Sequence, residues 1–154
     1  MVAQTAFSLS SHNVMLSNPV DFDGWRLAAR NLTRAGIDPA DVSWSITASG
    51  GGASLPEPTA NSRELRVPTS FVELAQTIIC HSDPERFGLL HRVLTLLQEN
   101  PQLLAIASDK DVVRMREMEK AVRRDVHKMR AFVRFREVEE HFLAWFEPAH
   151  FIVE

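Results

Sequence analysis

The stretch from Lys110 to Arg130 constrains the fold more than any other part of the chain. Met115, Met118, Val122, Val126 and Met129 recur at spacings of three and four, which aligns them on one face of a helix. Arg116, Lys120, Arg123, His127 and Arg130 recur with the same period. At about 100° per residue they form a second stripe, roughly a quarter-turn or more from the first. A helix with an apolar stripe has to bury it against another layer, so the rest of the chain must supply a core. The cationic stripe lacks the alternating signs of a salt-bridged surface helix. It is therefore read as a surface for a polyanion, with a solvated, salt-bridged helix as the alternative.

Charge supports that reading. Residues 110–136 hold ten Lys and Arg against four Asp and Glu, a balance of +6. The whole chain of 154 residues has a net charge of −3, which leaves −9 for the remainder. A basic segment on an acidic body points to an anionic partner met by one face. The net negative total implies modest, localised affinity.

The other elements are read from caps and periodicity. Val14 to Leu16 is a short strand or a loose segment. Asp21 or Asp23 caps a helix from about Gly24 to Ala35 that Gly36 stops, with Trp25, Leu27, Ala28, Ala29 and Leu32 inward. Val42 to Ile46 alternates as a half-buried strand, and Arg63 to Val67 reads as another. Residues 47–62 are a flexible loop by composition, and Gly50-Gly51-Gly52 lacks the Gly-Lys-Ser/Thr sequel of a phosphate loop. Ser70-x-x-Glu73 is a capping box for a helix from Phe71. Ser82-Asp83-Pro84 starts the next one, which runs to about Gln98. A short helix spans Gln102 to Ala107, and Ser108-x-x-Asp111 opens the basic helix. Phe132–Val138 and Phe142–Phe146 form a hairpin with Arg134 and Arg136 on one face. The expected fold is α+β, with helices packed on a small, mainly antiparallel sheet: an N-terminal segment, 1–20, then one domain, 21–154.

Composition excludes several classes. No apolar run approaches the roughly 18 residues that a membrane span needs. The N-terminus lacks a basic region and an apolar core, so a cytoplasmic protein is expected, with no membrane association. The single cysteine, Cys80, excludes an internal disulfide and a cysteine-rich zinc module. The histidines lack metal-ligand spacing, so no metal and no cofactor are expected, although His141 and His150 flank the hairpin. Cys80 lies at a helix C-terminus, which disfavours a thiolate. His91 reads as a satisfied core histidine. Asp125 is expected to orient an arginine. His81 with Asp83, or His127 with Asp125, are the acid–base pairs that a catalytic reading requires. Phe132, Phe135, Trp145 and Phe146 are either core or platforms for stacked bases.

Three motifs carry a family resemblance. Residues 123–138 (RRDVHKMRAFVRFREV), His81-x-Asp83-Pro84-x-Arg86-Phe87-x-Leu89-Leu90 and Ala144-Trp145-Phe146-Glu147-Pro148-x-His150-x-Ile152-Val153-Glu154 resemble a bacterial domain of unknown function. Trp25-Arg26 and Ala29-Arg30 resemble its opening. That domain occurs alone as a probable DNA metabolism protein near a radical-SAM protein. It also occurs fused ahead of a uracil-DNA glycosylase domain of the X group. The family continues past the last motif, so the chain looks like its N-terminal part. The glycosylase domain has no counterpart here, so its activity carries over to no residue, and no catalytic site is recognisable. His91 stands where the family commonly has an aromatic, often Tyr.

The resemblance implies a DNA-repair context. Arg116, Lys120, Arg123, Arg124, His127, Lys128, Arg130, Arg134 and Arg136 are the expected phosphate contacts of a DNA-associated accessory domain. A radical-SAM or uracil-DNA glycosylase protein is the expected protein partner. The alternatives are a catalytic domain for nucleic acid or nucleotides, using the histidine–aspartate pairs, and a module that docks such a partner.

Overall fold

The computed structural model describes residues 12–47, 64–132, 135–138 and 141–153, with the backbone alone for 132, 135–138 and 141–144. Its elements run β1 (His12–Leu16), α1 (Phe22–Arg34), β2 (Val42–Ile46), α2 (Thr69–Ile78), α3 (Arg86–Glu99), α4 (Lys110–Phe132), β3 (Phe135–Val138) and β4 (His141–Ala144). One-turn 3₁₀ segments lie at Pro39–Asp41 and Leu103–Ala105.

The helices do not pack on an antiparallel sheet. β1 and β2 pair in parallel, from His12 beside Val42 to Leu16 beside Ile46. The antiparallel pairing is confined to the separate β3–β4 hairpin, Phe135 opposite Ala144 and Val138 opposite His141. The cause is the connection. α1 lies between β1 and β2, and a chain that returns through a helix enters the sheet in the same direction.

Local chemistry sets the helix ends. The Asp21 carboxylate accepts the Gly24 N–H at 2.8 Å and the Ser17 N–H and hydroxyl, which caps α1. A β-carbon at position 24 would meet that carboxylate, so a larger residue there would displace the cap. Gly36 closes the helix at φ +72°, a left-handed conformation. α1 turns Trp25, Ala28, Ala29 and Leu32 inward, whereas Leu27, expected on that face, is 57% exposed.

The capping box at Ser70 does not form. α2 begins at Thr69 behind Pro68, whose carbonyl accepts the Phe71 and Val72 N–H groups, and Ser70 is already inside the first turn. The Asp83 carboxylate accepts the Glu85 N–H ahead of α3, which becomes regular at Arg86, two residues beyond Pro84. Asp109, not Ser108, caps α4 by accepting the Asp111 and Val112 N–H groups. α4 continues through Phe132, so the hairpin strand starts at Phe135 instead of Phe132. Only a one-turn 3₁₀ segment, Leu103–Ala105, stands where a helix over 102–107 was expected.

Residues 64–67 are not a strand. The Gln98 side chain accepts the Arg66 N–H and donates to the Arg66 carbonyl, both at 3.1 Å. One amide side chain satisfies the backbone that a strand would have paired. The rest of the loop reading, and Gly50-Gly51-Gly52, fall outside the described residues.

α3 is the central element and buries Phe87, Leu89, Leu90, Val93, Leu94 and Leu97. α1 and β2 cover one side of it. Trp25 donates its indole N–H to the Phe87 carbonyl at 3.1 Å, and Trp44 stacks on Phe87 with ring centroids 6.3 Å apart. α2 and α4 close the core through Phe71, Leu74, Ile78, Val112, Met115 and Met118.

Candidate functional site

α4 carries the cationic stripe as the periodicity predicts. Met115, Met118 and Val122 are buried, and Val126 and Met129 are half-buried. Arg116, Lys120, Arg123, Arg124, His127, Lys128 and Arg130 are all exposed. The buried face fixes the helix rotation, so these seven groups share the solvent side. Arg134 falls outside the described residues, as does the side chain of Arg136.

The stripe is not purely cationic. Arg116 and Arg123 both bond the Glu119 carboxylate, at 3.1 and 2.9 Å. Glu119 sits three residues after the first and four before the second, so one acid bridges both turns. Lys120, Arg124 and Lys128 have no carboxylate within ion-pair distance among the described residues.

Among the described residues, Asp125 pairs with no arginine. It is 7% exposed, and its carboxylate accepts the Ala149 and His150 N–H groups at 2.9 and 3.1 Å. His127 is exposed on the opposite side of the helix, so the two do not form an acid–base pair. Asp125 instead holds residues 148–151 against α4.

That contact builds a second feature, which sequence reading passed over as an ordinary helix start. His81 and His150 stack with ring centroids 4.2 Å apart. The Ser82 N–H points at His150 Nδ1, at 3.2 Å, and the Ser82 hydroxyl lies 3.1 Å from the same atom. The Asp83 N–H points at His81 Nδ1, at 3.0 Å. The Phe151 N–H donates to the Cys80 carbonyl. His150 thus meets His81; the expected approach of His141 to His150 falls outside the described residues. His81, Asp125 and His150 each come from a different one of the three resemblance motifs. That distribution was the available signal, and no single motif contains it.

The surrounding charges are matched. Arg114 bonds Asp83 at 3.0 Å and Glu85 at 2.7 Å, tying α4 to the start of α3. Burial would raise the Asp83 carboxyl, but the Glu85 N–H and Arg114 outweigh it and hold the group below its usual value. Burial, and then His150, push the His81 imidazole down, with Asp83 opposing. Burial raises the Cys80 thiol despite Arg86 nearby, which keeps it protonated. Arg86 is 2% exposed and donates to the carbonyls of Ile79, Asp83 and Pro19, so it is a structural bracket.

Residues 84–154 match the model of a domain of unknown function, DUF4130. The matched stretch takes in α3, α4, the hairpin and the segment that Asp125 holds. No curated protein and no solved structure matches the chain.

His91 lies in the core at 0% exposure, yet neither ring nitrogen has a hydrogen-bond partner among the described residues. It is a core histidine, but not a satisfied one. Its ring meets Trp44 edge-on, with centroids 5.8 Å apart. Burial lowers its pKa to about 4, against a small opposing pull from Asp38. Among the described residues, no three His, Cys, Asp or Glu side chains gather to hold a metal ion. None of the described helices is long and apolar enough to cross a membrane.

Proposed function

We propose that the protein is a DNA-associated accessory domain of a DNA-repair or DNA-modification system, and that α4 is its phosphate-contacting face. The observation that carries this reading is the sorting of α4: its apolar side is packed away, and seven basic side chains face solvent together. Arg and Lys give charge-assisted bonds to phosphate oxygens, and such contacts position a duplex without reading its sequence. The Arg116–Glu119–Arg123 bridge lowers the count of free cations, so Lys120, Arg124, His127 and Lys128 lead the contact, with Arg130, Arg134 and Arg136 extending it. The repair context comes from the resemblance of the three motifs, and the partner from the same source: a radical-SAM or uracil-DNA glycosylase protein.

Fluorescence anisotropy with labelled single- and double-stranded DNA, with and without uracil, from about 50 to 200 mM salt, tests the reading. Binding that weakens steeply with salt supports it. Replacing Lys120 and Arg124 together by Ala should lower the salt slope by about two, since each phosphate contact contributes nearly one. A folded sample that binds no DNA at the lowest salt overturns it and favours docking of an acidic protein surface on α4.

A further inference from the structure

Five contacts fasten residues 148–151 to the rest of the chain. Asp125 takes two of their N–H groups, the Cys80 carbonyl takes a third, and His150 both accepts the Ser82 N–H and stacks on His81. The two imidazoles are the unusual members. Each Nδ1 faces a main-chain N–H, the geometry of a ring that accepts there and carries its proton on Nε2. With both Nδ1 lone pairs occupied, the rings have none free to ligate a metal. Arg86 and Arg114 together match Asp83 and Glu85 in charge, and Arg86 is spent on three carbonyls, so the corner offers no surplus cation to an anion. Its geometry suits an anchor.

We propose that the His81–His150 stack is a pH-sensitive latch, and that acidification frees the segment 148–151 from α4. Protonating either ring places a proton on an Nδ1 that already faces an N–H, which breaks the Ser82 or Asp83 bond. Protonating both sets two cations 4.2 Å apart. Among the described residues, the groups facing the pair are Asp83 from the α2–α3 turn, Arg86 from the start of α3, Arg114 from α4, and Asp125 behind the His150 amide. Asp83 favours the charged form, whereas burial, the second ring, Arg86 and Arg114 oppose it. His81 therefore gains a proton more easily when the latch is open. The latch is intact above the ordinary imidazole value of about 6.5 and weakens as pH falls below it. Opening uncovers Val126 and Met129, which line the hollows beneath Phe151, next to the basic stripe.

Amide hydrogen exchange on the whole chain at pH 7.5 and 5.0, expressed as protection factors, is the test. Protection at Ala149, His150 and Phe151 should fall on the order of thirtyfold, two lost bonds at roughly fivefold each. Protection in the middle of α3, around His91, falls with acid in any case, so the acid response of the segment is read against that of a variant without the two imidazoles. His81→Phe/His150→Phe keeps the stacked rings but cannot titrate, so its segment should be looser at pH 7.5 and insensitive to acid. Equal protection at the two pH values in the parent overturns the latch, as does the same acid response in the double variant. If that variant fails to fold, nitrogen NMR of the parent histidines decides. Protons on Nε2 of both rings at pH 7.5 support the latch, and a proton on either Nδ1 refutes it.

Discussion

Acidification should destabilise this protein by way of His91, and by an amount the structure sets. The ring is fully buried, its two nitrogens find no partner among the described residues, and burial lowers its pKa to about 4 from 6.5. The folded state therefore resists the proton that the unfolded chain accepts. Stability is complete above pH 6.5, falls as pH drops below it, and loses nothing more from this group below about 4. The gap between 6.5 and about 4, at about 1.4 kcal/mol per tenfold change in proton affinity, amounts to about 3 kcal/mol. That is a large share of the roughly 5–15 kcal/mol that holds a domain together. Carboxylates such as Asp83 and Asp111, held below their usual values, also weaken the fold in acid, so the parent alone does not isolate His91. His91→Leu supplies the comparison, because it fills a similar space and cannot titrate. Urea unfolding followed by circular dichroism at pH 7 and pH 4 gives both free energies. The parent should lose about 3 kcal/mol more than His91→Leu over that interval. Parallel losses in the two proteins would refute the reasoning and would mean that the buried ring is paired in solution.

Other substitutions probe other contacts. Arg86→Lys should cost about 3 kcal/mol in urea unfolding, because one ammonium cannot reach the carbonyls of Ile79, Asp83 and Pro19 together; a loss below about 1 kcal/mol would show that the bracket is dispensable. Gly24→Ala should lower stability by about 1 kcal/mol although alanine is the better helix former, since its β-carbon displaces the Asp21 cap; a gain in thermal midpoint would show that Asp21 relaxes freely. Arg92→Ala should cost about 2 kcal/mol, because it strips the 2.7 and 2.8 Å bonds from Asp111, which is 5% exposed; the cost should vanish when Asp111→Leu is made as well.

Periodicity made α4 legible almost to the residue, because an amphipathic helix writes both of its faces into the sequence. Its cap was misplaced by one position, since Ser108 and Asp109 are both good caps and only the path of the chain decides between them. The α1 boundaries were legible for a related reason: an aspartate at 21 or 23 is a good cap and Gly36 a good stop, and the structure uses Asp21 and Gly36. Sheet direction was not legible. Strands of five residues carry no sign of their partner's direction, and the answer lay in α1 falling between them. The strand expected over 63–67 is absent from 64–67, where Gln98, thirty-odd residues away, takes both backbone groups of Arg66. Glu119 was visible in the sequence, but its bridge to both Arg116 and Arg123 depends on rotamers. The pairing of His81 with His150 was hidden by a separation of 69 residues, and Asp125 by its resemblance to any acid beside arginines. Three-dimensional closure brought those three together, and periodicity has nothing to say about it.

The parallel pairing of β1 with β2 has a consequence for how the chain assembles. Each bonded pair joins positions 30 apart, whereas the turn of the β3–β4 hairpin joins Val138 to His141. Closing the longer loop requires α1 to be formed and seated on α3 before any ladder bond offsets the lost freedom. A pair with only two strands then has little to gain from its own hydrogen bonds and depends on Val14, Leu16 and Trp44 finding the surface of α1 and α3. The β1–β2 pair should therefore be the last part of the described chain to consolidate during refolding and the first to exchange its amides in the native state.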